Sequence, residues 1–175
     1  MDWRDDRIGS AARGENPTVL RELGAGYAVI GDVQFLPGYC VLLAKDARAT
    51  ALAELPRLER VRFLADADLL ATAVERACRA ADPAFRRVNL EVLGNADAFV
   101  HAHVWPRYAW EPPALVRRPV WLHAEERWAD PATALGDAHA ALRARITAEL
   151  DALVGADRVA VGGRWPGGTS VTPPC

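Results

Sequence analysis

The stretch Phe99-Val100-His101-Ala102-His103-Val104-Trp105-Pro106-Arg107-Tyr108 decides how the rest of the chain is read. Its β-branched and aromatic content predicts a strand from Phe99 to Trp105, closed by Pro106. Side chains on a strand alternate faces, so Phe99, His101, His103 and Trp105 share one face. Val100, Ala102 and Val104 form the other, small and apolar enough to lie against a helix. Two imidazoles side by side are a poor choice for a core. The chain has four histidines, and two on one strand face mark a site. Two chemistries fit the pair. Neutral imidazoles can hold a metal ion if a third ligand arrives from elsewhere. Alternatively one imidazole attacks as a nucleophile while the other orients or stabilises a charged group. The nearest acidic residue after the pair is Glu111, beyond Pro106, which weakens the metal reading.

Working outward, Val88 to Leu93 alternates apolar and polar as a half-buried strand does, and Gly94-Asn95-Ala96-Asp97 makes a turn. Val19 to Leu23 and Tyr27 to Ile30 predict two short strands around the Gly24-Ala25-Gly26 turn. Asp32 to Gly38 is a connection, and Tyr39 to Leu43 is an apolar strand buried on both faces. Asp46 to Arg79 reads as mostly helical, with Pro56 at the first turn of its longer segment. Leu58, Val61, Ala65, Leu69 and Ala73 recur there at helical spacing, predicting a core-facing stripe. Asp82-Pro83 ends the helix. A proline-rich loop runs from Glu111 to Pro119, and Asp130-Pro131 opens a last helix through about Val154. The pattern predicts an α+β domain over residues 19–154, preceded by a loose arm (1–18) and followed by a disordered tail (155–175). Its antiparallel sheet has about five strands, with a long helix and a C-terminal helix.

Composition narrows the partners. The 175 residues carry a formal charge of -2, so no uniform positive field exists to attract a nucleic acid backbone. No apolar leader or membrane-length run is present, which makes cytoplasm the default. Cys40, Cys78 and Cys175 form no metal or disulfide pattern. There are 34 alanines, and every basic residue except Lys45 is arginine. Arginine is therefore compositional background, whereas histidine is not.

The histidine strand resembles the signature of the histidine triad (HIT) superfamily, three alternating histidines followed by Pro-Arg. Aligned on Pro106-Arg107, His103 takes the third histidine position, His101 the middle one and Phe99 the first. Asn89 to Asn95 is similar to the Asn-containing strand and Leu-Gly-Asn turn of a HIT-like bacterial subfamily. Asp32 to Tyr39, followed by Val41-Leu42-Leu43 and Lys45, is similar to the family's nucleotide-side hairpin. Pro119-Val120-Trp121 also looks like that subfamily, so the match spans roughly Val19 to Trp121.

The resemblance implies a HIT-like fold and a homodimer related to diadenosine polyphosphate hydrolases. It also implies attack on the α-phosphate of a nucleotide phosphoanhydride or phosphoester. His101 would then be the nucleophile, and His103 would hydrogen-bond the phosphate. Asn89 and Asn95 would be neutral donors near the phosphates, Asp32 a ribose anchor, and Arg107 a residue able to reach a phosphate or form a surface ion pair. The mechanism requires no cofactor, with a divalent metal left as an option. The small-molecule partner is a nucleotide, with neither nucleic acid nor membrane expected. Phe99, and Tyr39 where many members carry histidine, depart from the pattern. They leave open a nucleotide-binding protein without turnover, alongside the less favoured metal-dependent enzyme built on the His-x-His pair. His123 reads as rim or surface, and His139 as an exposed residue of the last helix.

Overall fold

A computed structural model describes residues 2–94 and 97–162. Five strands form one antiparallel sheet: β1 (Val19–Glu22), β2 (Gly26–Ile30), β3 (Cys40–Ala44), β4 (Phe85–Leu93) and β5 (His101–Tyr108). Their spatial order is β1-β2-β3-β5-β4, which puts the histidine strand inside the sheet and leaves β4 at an edge. The helices are α1 (Arg7–Ala12), α2 (Arg57–Ala81), the short α3 (Glu125–Ala129) and α4 (Ala140–Gly162). Among the described residues no helix is long and apolar enough to cross a membrane.

The sheet has two unlike faces: β3 is apolar on both, whereas β5 sets Ala102 and Val104 on one and His101, His103 and Arg107 on the other, and all residues of both strands are buried. One face takes α2, which presents Phe63, Ala67, Leu70, Ala73, Val74 and Ala77, each fully buried. These meet Val100, Ala102 and Val104 of the β5 segment, as the alternation of small apolar residues predicts. Truncating a side chain such as Leu70 to alanine would cost about 2–5 kcal/mol. Helix α4 packs on α2 through the buried Ile146 and Leu150. The helical period in α2 is as expected, and of the expected stripe Ala73 is buried and Leu69 packs against the core, whereas Leu58, Val61 and Ala65 are exposed. Leu58 and Val61 are more than half exposed, and the stripe instead runs through Phe63, Ala67 and Leu70. Asp66 also lies on the buried side, a place that no hydropathy pattern reveals. Its carboxylate accepts from the Ala25 backbone N–H at 2.6 Å, tying α2 to the glycine turn between β1 and β2. Burial pushes that carboxyl's pKa up, against the backbone donors that pull it down.

Three further segments differ from expectation. The first eighteen residues are not a loose arm where they are described. Trp3–Asp6 is a 3-10 turn and α1 follows it, with Ile8, Ser10 and Ala11 buried. Pro106 does not close β5, which continues to Tyr108 with Pro106 opposite Val88. β3 stops pairing at Cys40 opposite Val104, so Pro106 sits where β5 has a strand neighbour on one side only, and the missing N–H is tolerated. Asp130 does cap a helical segment, its side chain accepting from Ala132 N, but that segment is the 3-10 turn Pro131–Thr133. The long C-terminal helix begins at Ala140 and runs to Gly162, past Val154. Most of the expected tail, residues 163–175, lies outside the described residues, as does Asn95.

Candidate functional site

On β5, His101, His103, Trp105 and Arg107 occupy the face opposite α2, and all are buried. Opposite them on β4 stand Leu93, Glu91, Asn89 and Arg87, pair by pair. A pocket of about 200 Å³ opens over the two histidines, walled by Arg7, Asp32, Tyr39, Asp97, Phe99 and Trp128 among others. It is smaller than the roughly 300–1,000 Å³ of sites that enclose a whole drug-sized ligand.

The two imidazoles are held in different protonation geometries. His101 Nδ1 lies 2.8 Å from the Phe99 carbonyl oxygen. A carbonyl only accepts, so Nδ1 carries the proton and Nε2 of the neutral ring keeps its lone pair. His103 Nδ1 lies 2.7 Å from the Tyr39 hydroxyl. Burial pushes the Tyr39 phenol well above its usual range, so it stays neutral. With the hydroxyl donating, His103 Nδ1 accepts and the ring presents Nε2–H. Burial, with a smaller effect from His101, lowers the His103 pKa from the ordinary 6.5 to about 4. His103 is therefore a neutral donor at pH 7. The two rings meet edge to face at 4.6 Å.

Tyr39 owes its position to its neighbours. Its ring stacks on Trp105 at 3.5 Å between centroids. Gly31 leaves room for that ring, since a Cβ there would overlap it. Gly38 has φ 94°, and a Cβ on it would run into the Cys78 sulfur. The left-handed turn at Gly38 thus turns Tyr39 inward at a position only glycine fills without strain. The buried Gln34 locks this connection, donating to the Gly31 and Tyr39 carbonyls and accepting from Gly38 N.

The remaining residues singled out in the sequence fall in different places. Asp32 is at the pocket, but its carboxylate accepts from the Arg7 guanidinium at 2.8 Å, with Arg4 a further 3.7 Å ion pair. Arg7 comes from α1 and had no sequence signal, because arginine is background and the segment lacks apolar periodicity. Asn89 does not line the histidine pocket. It faces a neighbouring basin together with Glu91 and several arginines. Arg107 forms an ion pair, but a buried one. Its guanidinium holds Glu111 at 2.7 Å and donates to the Leu115 and Arg118 carbonyls, pinning the proline-rich loop. Glu111 also lies 3.4 Å from Nε2 of His123, which has no aligned hydrogen-bond partner. His123 is thus buried under the loop and neither rim nor surface. His139 sits ahead of α4, its Nδ1 accepting from Gly136 N. Among the described residues no three His, Cys, Asp or Glu side chains are grouped to hold a metal ion.

The aromatic wall is complete on one side. Trp121 meets His103 edge-on at 4.9 Å and stacks on Trp128, while its indole N–H donates to Glu91 at 2.8 Å.

The five-stranded antiparallel sheet with its helices has counterparts among solved structures. A histidine triad protein of Marinobacter aquaeolei superposes with a TM-score of 0.62 at 20% identity, over 77% of this chain and 89% of that one. The fold is that of the histidine triad proteins. A histidine triad protein of Sinorhizobium meliloti gives a TM-score of 0.62 at 20% identity, covering 85% of this chain and 95% of its own. A hypothetical histidine triad nucleotide-binding protein of Sulfolobus tokodaii gives 0.57 at 13%, over 83% and 91% of the two chains. In sequence, no family model and no curated protein matches the chain.

Proposed function

We propose that the chain is a histidine triad-type enzyme that cleaves a nucleotide phosphoanhydride by attack of His101 on the α-phosphorus. The observation that carries this reading is the Nδ1–H bond from His101 to the Phe99 carbonyl, which leaves Nε2 as the nucleophilic nitrogen facing the pocket. A bond forms from Nε2 to phosphorus, and the bond from phosphorus to the leaving oxygen breaks. The positive charge on the ring is stabilised by the same carbonyl. Water then forms a new P–O bond, the N–P bond breaks, and the ring returns to neutral as a proton passes to solvent. His103 Nε2–H is the donor for a phosphoryl oxygen, in the tautomer that a donating Tyr39 hydroxyl selects on a ring that stays neutral.

Phe99 stands where the triad would place its first imidazole, so the site lacks one acid able to protonate a leaving group. An anhydride suits that deficit, because a departing phosphate is a weak base that leaves without protonation, unlike an alkoxide or amine. The same substitution favours a second reading, a nucleotide binder without turnover. Incubation with dinucleoside polyphosphates, nucleoside phosphoramidates and nucleoside monophosphate esters separates the two. Turnover of the anhydrides that is lost in His101→Ala supports the enzyme. Calorimetric binding with no product from any of the three supports the binder. A metal-dependent reaction would require stoichiometric metal in the purified protein and inhibition by chelators.

The functional unit in this reading is a homodimer. β4 leaves a nine-residue edge, and Leu90 and Val92 on it are exposed, as are Leu58, Val61 and Leu64 of α2. A second copy that continues the sheet would pair the edge and cover these side chains. A monomer by light scattering at micromolar concentration would contradict it.

A further inference from the structure

The basin beside the histidine pocket is larger than the pocket itself, about 420 Å³, and Arg86, Arg87, Arg117 and Arg118 line it with Asn89 and Glu91. Among the described residues none of these four guanidiniums has a carboxylate partner. The protein as a whole carries a charge of -2, so four clustered cations against one carboxylate make a strong local reversal of sign. Glu91 is engaged by the Trp121 indole, at the end of the basin nearer the histidines.

This cluster is built and not scattered. Arg107, buried beneath it, grips the Leu115 and Arg118 carbonyls while Glu111 neutralises its charge. Arg86 reaches across from β4 to the Val116 carbonyl at 2.9 Å. These bonds fix the backbone that carries Arg117 and Arg118 opposite Arg87. The Asn89 side chain, at the floor, has no hydrogen bond to protein among the described residues and offers both a donor and an acceptor. Guanidinium forks in this arrangement match the paired oxygens of phosphoryl groups.

We propose that this basin binds an oligophosphate, a run of adjacent phosphoryl groups. Its position says how the two sites relate. Arg87 and Arg107 lie opposite each other four residues along the strands from the Glu91–His103 pair, roughly 13 Å at strand rise. A ligand with one nucleoside over the histidines and an extended phosphate chain reaches the basin past Trp121. A free oligophosphate has the same chemistry and needs no nucleoside.

Calorimetry with inorganic tripolyphosphate on the whole chain tests the site without reliance on turnover, so its outcome is separate from that of the His101 reading. Binding is expected to weaken at least tenfold in Arg87→Ala/Arg117→Ala and to stay within twofold in Arg57→Ala, an arginine outside the basin. Arg87→Lys/Arg117→Lys keeps the charge and should retain part of the affinity, and circular dichroism verifies the fold of each variant. A nucleoside tetraphosphate that binds more tightly than tripolyphosphate, and loses that advantage in the double alanine variant, identifies the spanning ligand. Equal affinities identify the free one. Absence of tripolyphosphate binding to the wild type would overturn the proposal, as would an equal loss in Arg57→Ala.

Discussion

The Tyr39 hydroxyl and His103 Nδ1 are 2.7 Å apart, and both groups are buried. This one bond fixes which nitrogen of His103 faces the ligand. Without it, the neutral ring has no partner at Nδ1 and either tautomer is open to it. Tyr39→Phe keeps the ring stacked on Trp105 and removes only the hydroxyl. A hydrogen bond of this type contributes about 0.5–1.5 kcal/mol. The variant should therefore lose up to about tenfold in kcat with a smaller change in KM. Nitrogen NMR of His103 should show a shift toward mixed tautomers, which a purely structural defect would not produce.

Stability should depend on pH through His103. Its folded pKa is about 4, below the ordinary 6.5 of the unfolded chain, so the unfolded state binds more protons between these values. The contribution is complete above about pH 6.5 and is lost as pH falls toward 4. It is at most about 3 kcal/mol. Urea titrations at intervals from pH 4 to 7.5 should show this slope in the wild type and a flatter one in His103→Asn.

Arg107→Ala should destabilise the protein by about 3–5 kcal/mol, because it leaves Glu111 buried without its cation. The double variant Arg107→Met/Glu111→Leu, which removes both charges, should recover much of that loss. Thermal melts of the two variants distinguish a buried ion pair from a residue that meets substrate.

Arg7→Ala leaves Asp32 with only its longer Arg4 pair and removes the one guanidinium that lines the histidine pocket among the described residues. Asp97 adds a second negative group there, so the pocket changes from near-balanced to acidic. Nucleotide affinity should fall by about ten- to a hundredfold, the range of a lost charge-assisted hydrogen bond. Calorimetry measures it directly, and kcat at saturation should change little.

The sheet and the histidine face were legible because strand alternation has a fixed period of two, and β5 follows it from His101 onward. The buried β3 was legible from its unbroken apolar run. Elements whose placement depends on polar contacts were not. Asp66 lies on the buried side of α2, where it accepts from Ala25 N, and Asp32 takes a partner from an N-terminal helix whose sequence has no apolar period. The Arg107–Glu111 pair lies buried, although composition made Arg107 look like surface background. Asn89 and the histidines were expected at one site, yet register along β4 sets Asn89 beside Trp105 and in the arginine basin.

The central claim is that Nε2 of His101 forms a bond to the α-phosphorus. Mass spectrometry of the acid-quenched protein after brief incubation with a dinucleoside polyphosphate tests it most directly. The account predicts a nucleotidyl mass increment on the peptide containing His101, lost in His101→Ala and retained in Asn89→Ala. Turnover with no adduct at any quench time, and undiminished in His101→Ala, would contradict it.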